Sequence, residues 1–295
     1  FASRRRHTRL LTVTGVQTCA LPILTRRLPA RSVQTLPLVT VVQANVLDPM
    51  ALQAHVHGHD AVVNLVAMLH GNQDSFDQLH VQLPRQLAQA CMRAQVPRLI
   101  HVSALGADLH GPSLYQRSKA HGEAALQSEV VHGLPLTVLR PSVIFGEDDA
   151  FINLFARLQA WVPVVPLAGA NTRFQPVWVQ DVATAIVHAL THRDTIGRCF
   201  ELGGPHIFTL RELVQHAGRW AGHPRPVIGL PTGLAYAQAW LMECMPGAPL
   251  ISRDNLASMQ VDNVLRGDMA GLLELGVPHP AHLGSVFPVK PQGLL

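Results

Sequence analysis

The chain has few charged and few aromatic residues for its length of 295 residues. Charged residues make up 14% and aromatic residues 5%, whereas hydrophobic residues make up 48%. This composition excludes an intrinsically disordered protein, which has high charge and few apolar residues. The formal net charge is only +4, and Arg4, Arg5, Arg6 and Arg9 lie together at the beginning without interleaved aromatics. These features argue against a nucleic-acid-binding protein.

Cysteine is also scarce. Cys19, Cys91, Cys199 and Cys244 are far apart and form no CxxC pair, so we expect reduced thiols of a cytoplasmic protein and no disulfide framework. No long apolar run is free of both charges and prolines, and we therefore predict no transmembrane helix. The basic beginning followed by Leu10–Ile23 is similar to a signal peptide, but no small-residue cleavage site follows it.

From Leu38 onward the sequence alternates between two kinds of segment. Apolar runs rich in β-branched residues lie at 38–44, 61–68, 98–104 and 136–140, and segments with helical spacing of apolar residues lie at 76–95 and 114–130. Continuous apolar strands joined by helices predict a parallel sheet covered on both faces. Right-handed connections then give a Rossmann-type, doubly wound α/β sheet, whose ligand lies beyond the carboxyl ends of the strands.

The most informative motif is Ser113-Leu-Tyr-Gln-Arg-Ser-Lys119. Tyr115 and Lys119 are four residues apart, so on a helix they share one face. Ser103 comes shortly before them, at the end of a predicted buried strand where this fold binds ligands. A phenol titrates near pH ~10, too high for efficient proton transfer at neutral pH, and a nearby ammonium lowers that pKa. The trio predicts a hydride-transfer site in which Ser103 holds the substrate oxygen; the alternative is a surface pair without a ligand.

Several strings together resemble the atypical extended short-chain dehydrogenase/reductases of the NAD-dependent epimerase/dehydratase type. They are HVSALGAD (101–108), SLYQRSKAHGE (113–123), LRPSVIFGEDDAFIN (139–153), FQPVWVQDVATAI (174–186) and ELGGP (201–205). Within that family they resemble the group that includes the NADPH-binding accessory subunit of respiratory complex I and its bacterial relatives. LISRDN (250–255) is similar to the C-terminal motif of that group, and the resemblance covers about residues 24–265.

The resemblance implies that a dinucleotide binds at particular positions. In this family the end of the second strand selects the cofactor, and here it reads Leu24-Thr-Arg-Arg27. Arg26 and Arg27, without an acidic residue, suit a 2′-phosphate and therefore NADP(H), with NAD as the alternative. At the end of the third strand, Asn45 and Val46 are implied to touch the adenine.

Further positions follow from the same resemblance. The segments implied to pass close to the adenosine ribose and the nicotinamide contain Leu65, Val66, Ala67, Pro141 and Val143. Tyr115 and Lys119 are implied to hold the nicotinamide ribose and, with Ser103, to form the catalytic trio. Asp181 looks like the structural acidic residue of the family.

The beginning of the sequence does not match a dinucleotide-binding fold. The family pattern TGxxGxxG places glycines where Thr18 and Leu21 follow Gly15, and the stretch up to Ile23 is too short for the helix of a βαβ unit. The string SRRRHTRL…TVTGVQTCALPI resembles a translated sequencing adapter joined to a coding frame near Leu24; a divergent N-terminus is the alternative.

These observations predict three parts. We expect residues 1–23 to be foreign to the fold, so that the first strand and the pyrophosphate contact are missing. Residues 24–150 are expected to form an NAD(P)-binding Rossmann domain. Residues 151–295 are expected to form a small C-terminal lobe with elements that return to the sheet.

Two polar clusters are interpreted as structural. His55, His57 and His59 alternate as metal ligands on a strand do, but we expect them in a polar loop between a helix and a strand. Glu147, Asp148 and Asp149 precede a predicted helix over 150–158, where carboxylates are favourable. We predict no metal site.

Two functions remain open at this point. The trio predicts an NADP-dependent oxidoreductase or epimerase-like enzyme. The apolar segment 226–250, with a predicted helix over 232–245, instead suits a non-catalytic, NADPH-holding subunit or assembly factor of a membrane respiratory complex. It would then dock on the complex or the membrane surface and be peripheral on the inner membrane. The alternative for this helix is packing within the small lobe.

Overall fold

The computed structural model describes residues 2–4, 21–25, 39–247, 249–267 and 269–289. Within these ranges the strands are β1 (Ala2–Arg4), β2 (Leu21–Thr25), β3 (Val39–Gln43), β4 (His59–Asn64), β5 (Leu99–Val102), β6 (Leu136–Pro141), β7 (Ile144–Phe145), β8 (Val165–Leu167), β9 (Arg173–Phe174), β10 (Val177–Trp178), β11 (Cys199–Leu202), β12 (Phe208–Thr209) and β13 (Val227–Gly229).

The α-helices of the described ranges are α1 (Pro49–Val56), α2 (Gln73–Phe76), α3 (Leu83–Arg93), α4 (Leu114–Val130), α5 (Ile152–Trp161), α6 (Val179–Thr191), α7 (Leu210–Trp220), α8 (Thr232–Glu243), α9 (Arg253–Ser258) and α10 (Leu283–Val286). A π-helical segment at Asp77–Gln82 joins α2 to α3, and short 3₁₀ turns lie at Arg193–Thr195 and Leu273–Leu275. Arg26, Arg27 and Cys19 lie outside the described residues.

The central sheet has the strand order β1-β4-β5-β6-β11. Strands β4 and β5 are parallel, with Val62 opposite Leu99 and Asn64 opposite His101. A second parallel pair joins β2 to β3, with Ile23 opposite Val41. The prediction of a parallel α/β fold is therefore confirmed. The short β1 pairs with β4 in the antiparallel sense.

Most predicted elements lie close to their observed bounds, and α4 matches its predicted range. Strand β4 ends earlier than predicted because Asn64 turns the chain: its Oδ1 accepts a hydrogen bond from the Val66 N–H at 3.1 Å. The histidines expected in a loop are placed differently, since His55 lies in α1 and His59 begins β4. Helix α5 begins later than predicted, and Asp149 accepts hydrogen bonds from the N–H groups of Phe151 and Ile152 at its start.

The chain forms two compact units, each made of several segments. The first consists of 1–102, 118–138 and 189–198, and the second of 103–117, 139–188 and 199–295. Because neither unit is continuous in sequence, this division does not test a boundary near residue 150, which stays a prediction.

In the first unit, helix α4 approaches the π-helical segment unusually closely. A Cβ atom added at Gly122 would collide with the carbonyl oxygen of His80. Only glycine therefore fits at this crossing, where backbone meets backbone. Single π-helical turns within helices frequently mark functional sites, and this one presents His80 to α4.

The second unit has its own apolar core. The buried residues that form it are Phe145, Ile152, Ala156, Val165, Leu167, Ala170, Phe174, Leu210, Leu213, Val214, Ala217, Val227, Leu283 and Phe287. They come mainly from α5, α7 and the short strands beside them. Helix α7 begins with a capping box, in which the side chains of Thr209 and Glu212 accept backbone hydrogen bonds reciprocally.

Candidate functional site

Helix α4 carries both Tyr115 and Lys119, in accordance with the sequence prediction. The helix begins with a local capping box. The Ser113 hydroxyl accepts from the Gln116 N–H at 3.0 Å, and the Gln116 side chain accepts from the Ser113 N–H at 3.3 Å. This arrangement pairs two N–H groups at the start of the helix, whose first turn carries Tyr115.

Lys119 is buried in the first unit, where its Nζ donates a hydrogen bond to the Val102 carbonyl at 3.1 Å. Burial lowers the pKa of Lys119 to about 8, although the carboxylate of Glu123 acts in the opposite direction. Val102 is the last residue of β5. The ammonium is therefore held at the carboxyl end of a parallel strand, where this type of sheet binds ligands.

His80 and His101 are buried near this lysine, and neither was predicted as a site residue from the sequence. The Met68 N–H donates to His80 Nε2 at 3.1 Å, so the neutral ring carries its proton on Nδ1 and donates to Ser118 Oγ at 2.8 Å. The Asn64 side-chain amide pairs with His101 Nδ1 at 3.1 Å. His80 lies 38 positions from Ser118 and in no quoted motif, whereas His101 begins the string HVSALGAD (101–108), from which no role for it was predicted.

These histidines are neutral at physiological pH. Burial, followed by the positive charge of Lys119, lowers the pKa of His80 to about 3 and the pKa of His101 well below its usual range. His80 and His101 therefore add no positive charge beside the ammonium of Lys119.

Ser103 has the property expected of a ligand-binding hydroxyl. Its side chain is buried, and its Oγ has no hydrogen-bond partner among the residues that the structure describes. Its backbone N–H donates to the Leu139 carbonyl at 2.7 Å. Because a buried hydroxyl without a partner is unfavourable, this atom suits an oxygen or nitrogen of a bound molecule.

Tyr115 differs from the expectation for a proton donor. The residue is half-buried, and burial raises the pKa of its phenol to about 12. The lowering by Lys119 that the motif predicts is not seen, because desolvation of the phenolate dominates. With this pKa the phenol stays protonated at neutral pH.

The remaining predicted cofactor residues follow the ends of strands. Asn45 is exposed after β3 and its Oδ1 accepts from the Leu47 N–H at 3.1 Å, whereas Val46 is buried in the core. In the segment after β4, Leu65 and Ala67 are exposed and Val66 is half-buried.

In the second unit, Pro141 ends β6 and its carbonyl accepts from the Leu105 N–H at 2.8 Å. This bond joins the segment that begins with Ser103 to the segment that contains Val143. Asp181 is buried and accepts from the Ala281 N–H at 2.8 Å, which agrees with its predicted structural role. Among the described residues, no group of three or more His, Cys, Asp or Glu side chains is arranged to hold a metal ion.

Helix α8 lies in the apolar segment singled out in the sequence. Its small residues Ala235 and Ala239 are buried, whereas Trp240 is 56% exposed and Leu241 61% exposed. The helix therefore packs on the second unit through alanines and leaves its large apolar side chains uncovered. In the part of the chain that the structure describes, no helix is long and apolar enough to span a bilayer.

The parallel sheet, with Tyr115 and Lys119 on one helix and Ser103 after a strand, defines a Rossmann-type protein of the short-chain dehydrogenase/reductase class. The chain belongs to the NAD dependent epimerase/dehydratase family, whose model matches residues 8–203. The matched range includes part of the segment 1–23, and the expectation that this segment is foreign stays a prediction.

Curated relatives and solved structures agree with this assignment. The chain is 33% identical over 255 residues to NADH dehydrogenase (ubiquinone) 1 alpha subcomplex subunit 9 of Mus musculus, covering 84% of this chain and 66% of that protein. It is 29% identical to the Arabidopsis thaliana subunit of the same name, covering 79% and 60%. The chain thus spans about two thirds of the length of these relatives.

A solved structure shows the same fold. The dTDP-glucose 4,6-dehydratase DesIV of Streptomyces venezuelae, with NAD bound, superposes with a TM-score of 0.66 at 21% identity. The match covers 83% of this chain and 87% of that one. At this level of identity the likeness concerns the fold alone.

Proposed function

We propose that this protein is a dinucleotide-holding subunit or assembly factor of a membrane respiratory complex. The observation that carries the proposal is the uncovered apolar face of α8, on which Trp240 and Leu241 are each more than half exposed. Large exposed apolar surfaces mark contacts with other proteins or with membranes. The similarity to NADH dehydrogenase subunits over 84% of the chain supports the same assignment. So does the pKa of the Tyr115 phenol, because burial raises it to about 12 and general acid–base groups work best when their pKa lies near the operating pH.

The chemistry of each of the Ser103, Tyr115 and Lys119 side chains suits the nicotinamide-ribose end of a dinucleotide. The partnerless, buried Ser103 Oγ is available to a ligand atom, and Lys119 supplies an ammonium whose pKa of about 8 keeps it largely charged at neutral pH. Tyr115 and Lys119 would hold ribose hydroxyls. When bound, the nicotinamide would supply hydride-transfer chemistry.

The other end of the nucleotide decides between NADP(H) and NAD. Arg26 and Arg27 directly follow β2, and guanidinium groups without an acidic neighbour would pair with a 2′-phosphate. We therefore propose a preference for NADP(H). Because Thr18 and Leu21 replace glycines of the family pattern, the pyrophosphate is expected to be held weakly.

The docking surface in this proposal is the exposed face of α8 with the residues after it. Leu234, Trp240, Leu241, Met245 and Leu250 are each more than half exposed. A cluster of large apolar side chains of this kind marks a protein or membrane contact. This surface would hold the protein on the complex, peripheral to the inner membrane.

The test separates docking from nucleotide holding. Leu241→Asp should release the protein from membranes that contain the complex and leave its bound nucleotide, measured by native mass spectrometry, unchanged. Leu273→Asp is the matched control, because Leu273 is 72% exposed on the same unit but outside α8. Equal membrane retention of both variants would contradict the docking role.

An NADP-dependent oxidoreductase is the second candidate, favoured by the complete trio and the free Ser103 Oγ. Tyr115→Phe distinguishes the two functions. In an oxidoreductase this change should reduce turnover by about 10²–10⁴-fold. In a docked nucleotide holder it should remove one hydrogen bond to the ribose, weaken nucleotide binding by about tenfold or less and leave membrane retention unchanged.

A further inference from the structure

The first two residues of α4 receive their cap from a distant part of the chain. The Asp254 carboxylate accepts from the Leu114 N–H at 2.6 Å through Oδ1 and from the Tyr115 N–H at 3.1 Å through Oδ2. The local capping box of Ser113 and Gln116 involves two other N–H groups, those of Ser113 and Gln116 themselves. Asp254 therefore completes the start of α4, and its negative charge is favourable at a helix N-terminus.

Asp254 is itself fixed in place. It belongs to α9, which begins with a capping box between Ser252 and Asn255. The neighbouring Arg253 donates through its backbone N–H and its Nε to the Glu243 carboxylate, both at 2.7 Å. Glu243 is the last residue of α8. The carboxylate that holds the Tyr115 backbone is thus anchored to the end of the proposed docking helix.

The same C-terminal segment contacts the Ser103 side of the site. Asn263 Nδ2 donates to the Leu105 carbonyl at 3.0 Å, and Asn263 Oδ1 accepts from Ser142 Oγ at 2.5 Å. The Asn263 N–H donates to the Arg173 carbonyl at 2.8 Å. One side chain therefore links the segment after Ser103 to the segment after β6.

We propose that Asp254 is a positioning residue, which acts through the backbone of Tyr115 to set the direction of the phenol. The local capping box accounts for only part of the hydrogen bonding in the first turn of α4. The two oxygens of the Asp254 carboxylate hold the Leu114 and Tyr115 N–H groups and so restrict the backbone of that turn. The importance of Asp254 for nucleotide binding rests on the proposed function, whereas its effect on the direction of the Tyr115 phenol does not depend on that function.

The chain contains two tyrosines, Tyr115 and Tyr236, so protein labelled with 3-fluorotyrosine gives two ¹⁹F resonances. Tyr236→Phe assigns them. Asp254→Ala should shift and broaden the Tyr115 resonance while circular dichroism remains that of the folded chain. Asp254→Asn, which keeps one acceptor oxygen, should have a smaller effect, and Glu243→Ala a smaller effect still, in the same direction.

Asp149→Ala is the matched control, because Asp149 also accepts from two N–H groups at a helix start of the same unit. It should leave the Tyr115 resonance unchanged. An unaltered resonance in Asp254→Ala, or an equal change in Asp149→Ala, would overturn the proposal. If Asp254→Ala does not fold, Asp254→Asn decides by the same criterion.

A second measurement connects the positioning to the ligand. Asp254→Ala should weaken NADPH binding by about fivefold, and the loss should not add to that of Tyr115→Ala in the double variant. Additive losses would contradict the inference. If the unaltered chain binds no NADPH, the proposed nucleotide-holding function fails, and the ¹⁹F comparison still decides the role of Asp254.

Discussion

The polar groups of α4 have different surroundings in the two compact units. In the first unit, Lys119 lies beside histidines that burial keeps neutral, and its own pKa is lowered to about 8. In the second unit, the N–H groups of the first two residues of α4 donate hydrogen bonds to the carboxylate of Asp254. The difference shows that one helix can bury the ammonium of Lys119 away from solvent and still begin with strong, charge-assisted hydrogen bonds.

The largest loss of stability is expected from a substitution where α4 crosses the π-helical segment of the first unit. Gly122→Ala would place a methyl group against the His80 carbonyl oxygen, and backbone cannot move aside as a side chain can. We expect a loss of about 3 kcal/mol in unfolding free energy, measured by urea denaturation. Gly233→Ala in α8 meets no atom within 4 Å and should be nearly neutral. Similar losses for both variants would show that the crossing is not tight.

The pH dependence of stability at alkaline pH tests the lowered pKa of the buried Lys119. Its pKa is lowered from 10.5 to about 8 in the folded chain, so between these values the unfolded state binds more protons and stability rises with pH. Relative to Lys119→Met, the unfolding free energy of the wild type should increase by about 3 kcal/mol between pH 8 and 10.5. Burial of Cys91 and Tyr115 affects both proteins equally. A constant difference across this range would contradict the lowered pKa.

The pH dependence of stability at acidic pH tests the lowered pKa of His80 in the same unit. Because the pKa of His80 is lowered from 6.5 to about 3, acid favours the unfolded state, and stability is lost as pH falls through this window. His80→Gln should cost about 2 kcal/mol at pH 7, because the Met68 N–H and Ser118 Oγ lose good partners, and should lack this part of the acid sensitivity. An unchanged pH profile in the variant would show that His80 is not the group responsible.

The smallest effect concerns a local cap in the second unit. Thr209→Ala removes the side chain that accepts from the Glu212 N–H at the start of α7, and it should cost about 1 kcal/mol. Chemical denaturation at pH 7 is sufficient to measure it. Thr209→Ser keeps the hydroxyl and should retain nearly all of the stability. A loss in Thr209→Ser as large as in Thr209→Ala would assign the effect to the methyl group.

Much of the fold could be predicted because its signals are local. Apolar periodicity predicted the strands and helices of the parallel sheet, and the spacing of Tyr115 and Lys119 placed them on one helix. Less local features were predicted less well. The end of β4 depends on the Asn64 side chain, and Gly122 of α4 lies very close to the π-helical segment between α2 and α3. Neither contact leaves a periodic pattern.

The sequence by itself determined the family, the parallel α/β architecture and the identity of the trio, since residue types and spacing carry this information. Only the tertiary structure decided how those residues behave. The raised pKa of Tyr115 and the lowered pKa of Lys119 result from burial, which depends on segments far away in the chain. The cap from Asp254 joins residues 139 positions apart. Desolvation and long-range hydrogen bonds exist only after the chain has folded, so no local motif could reveal them.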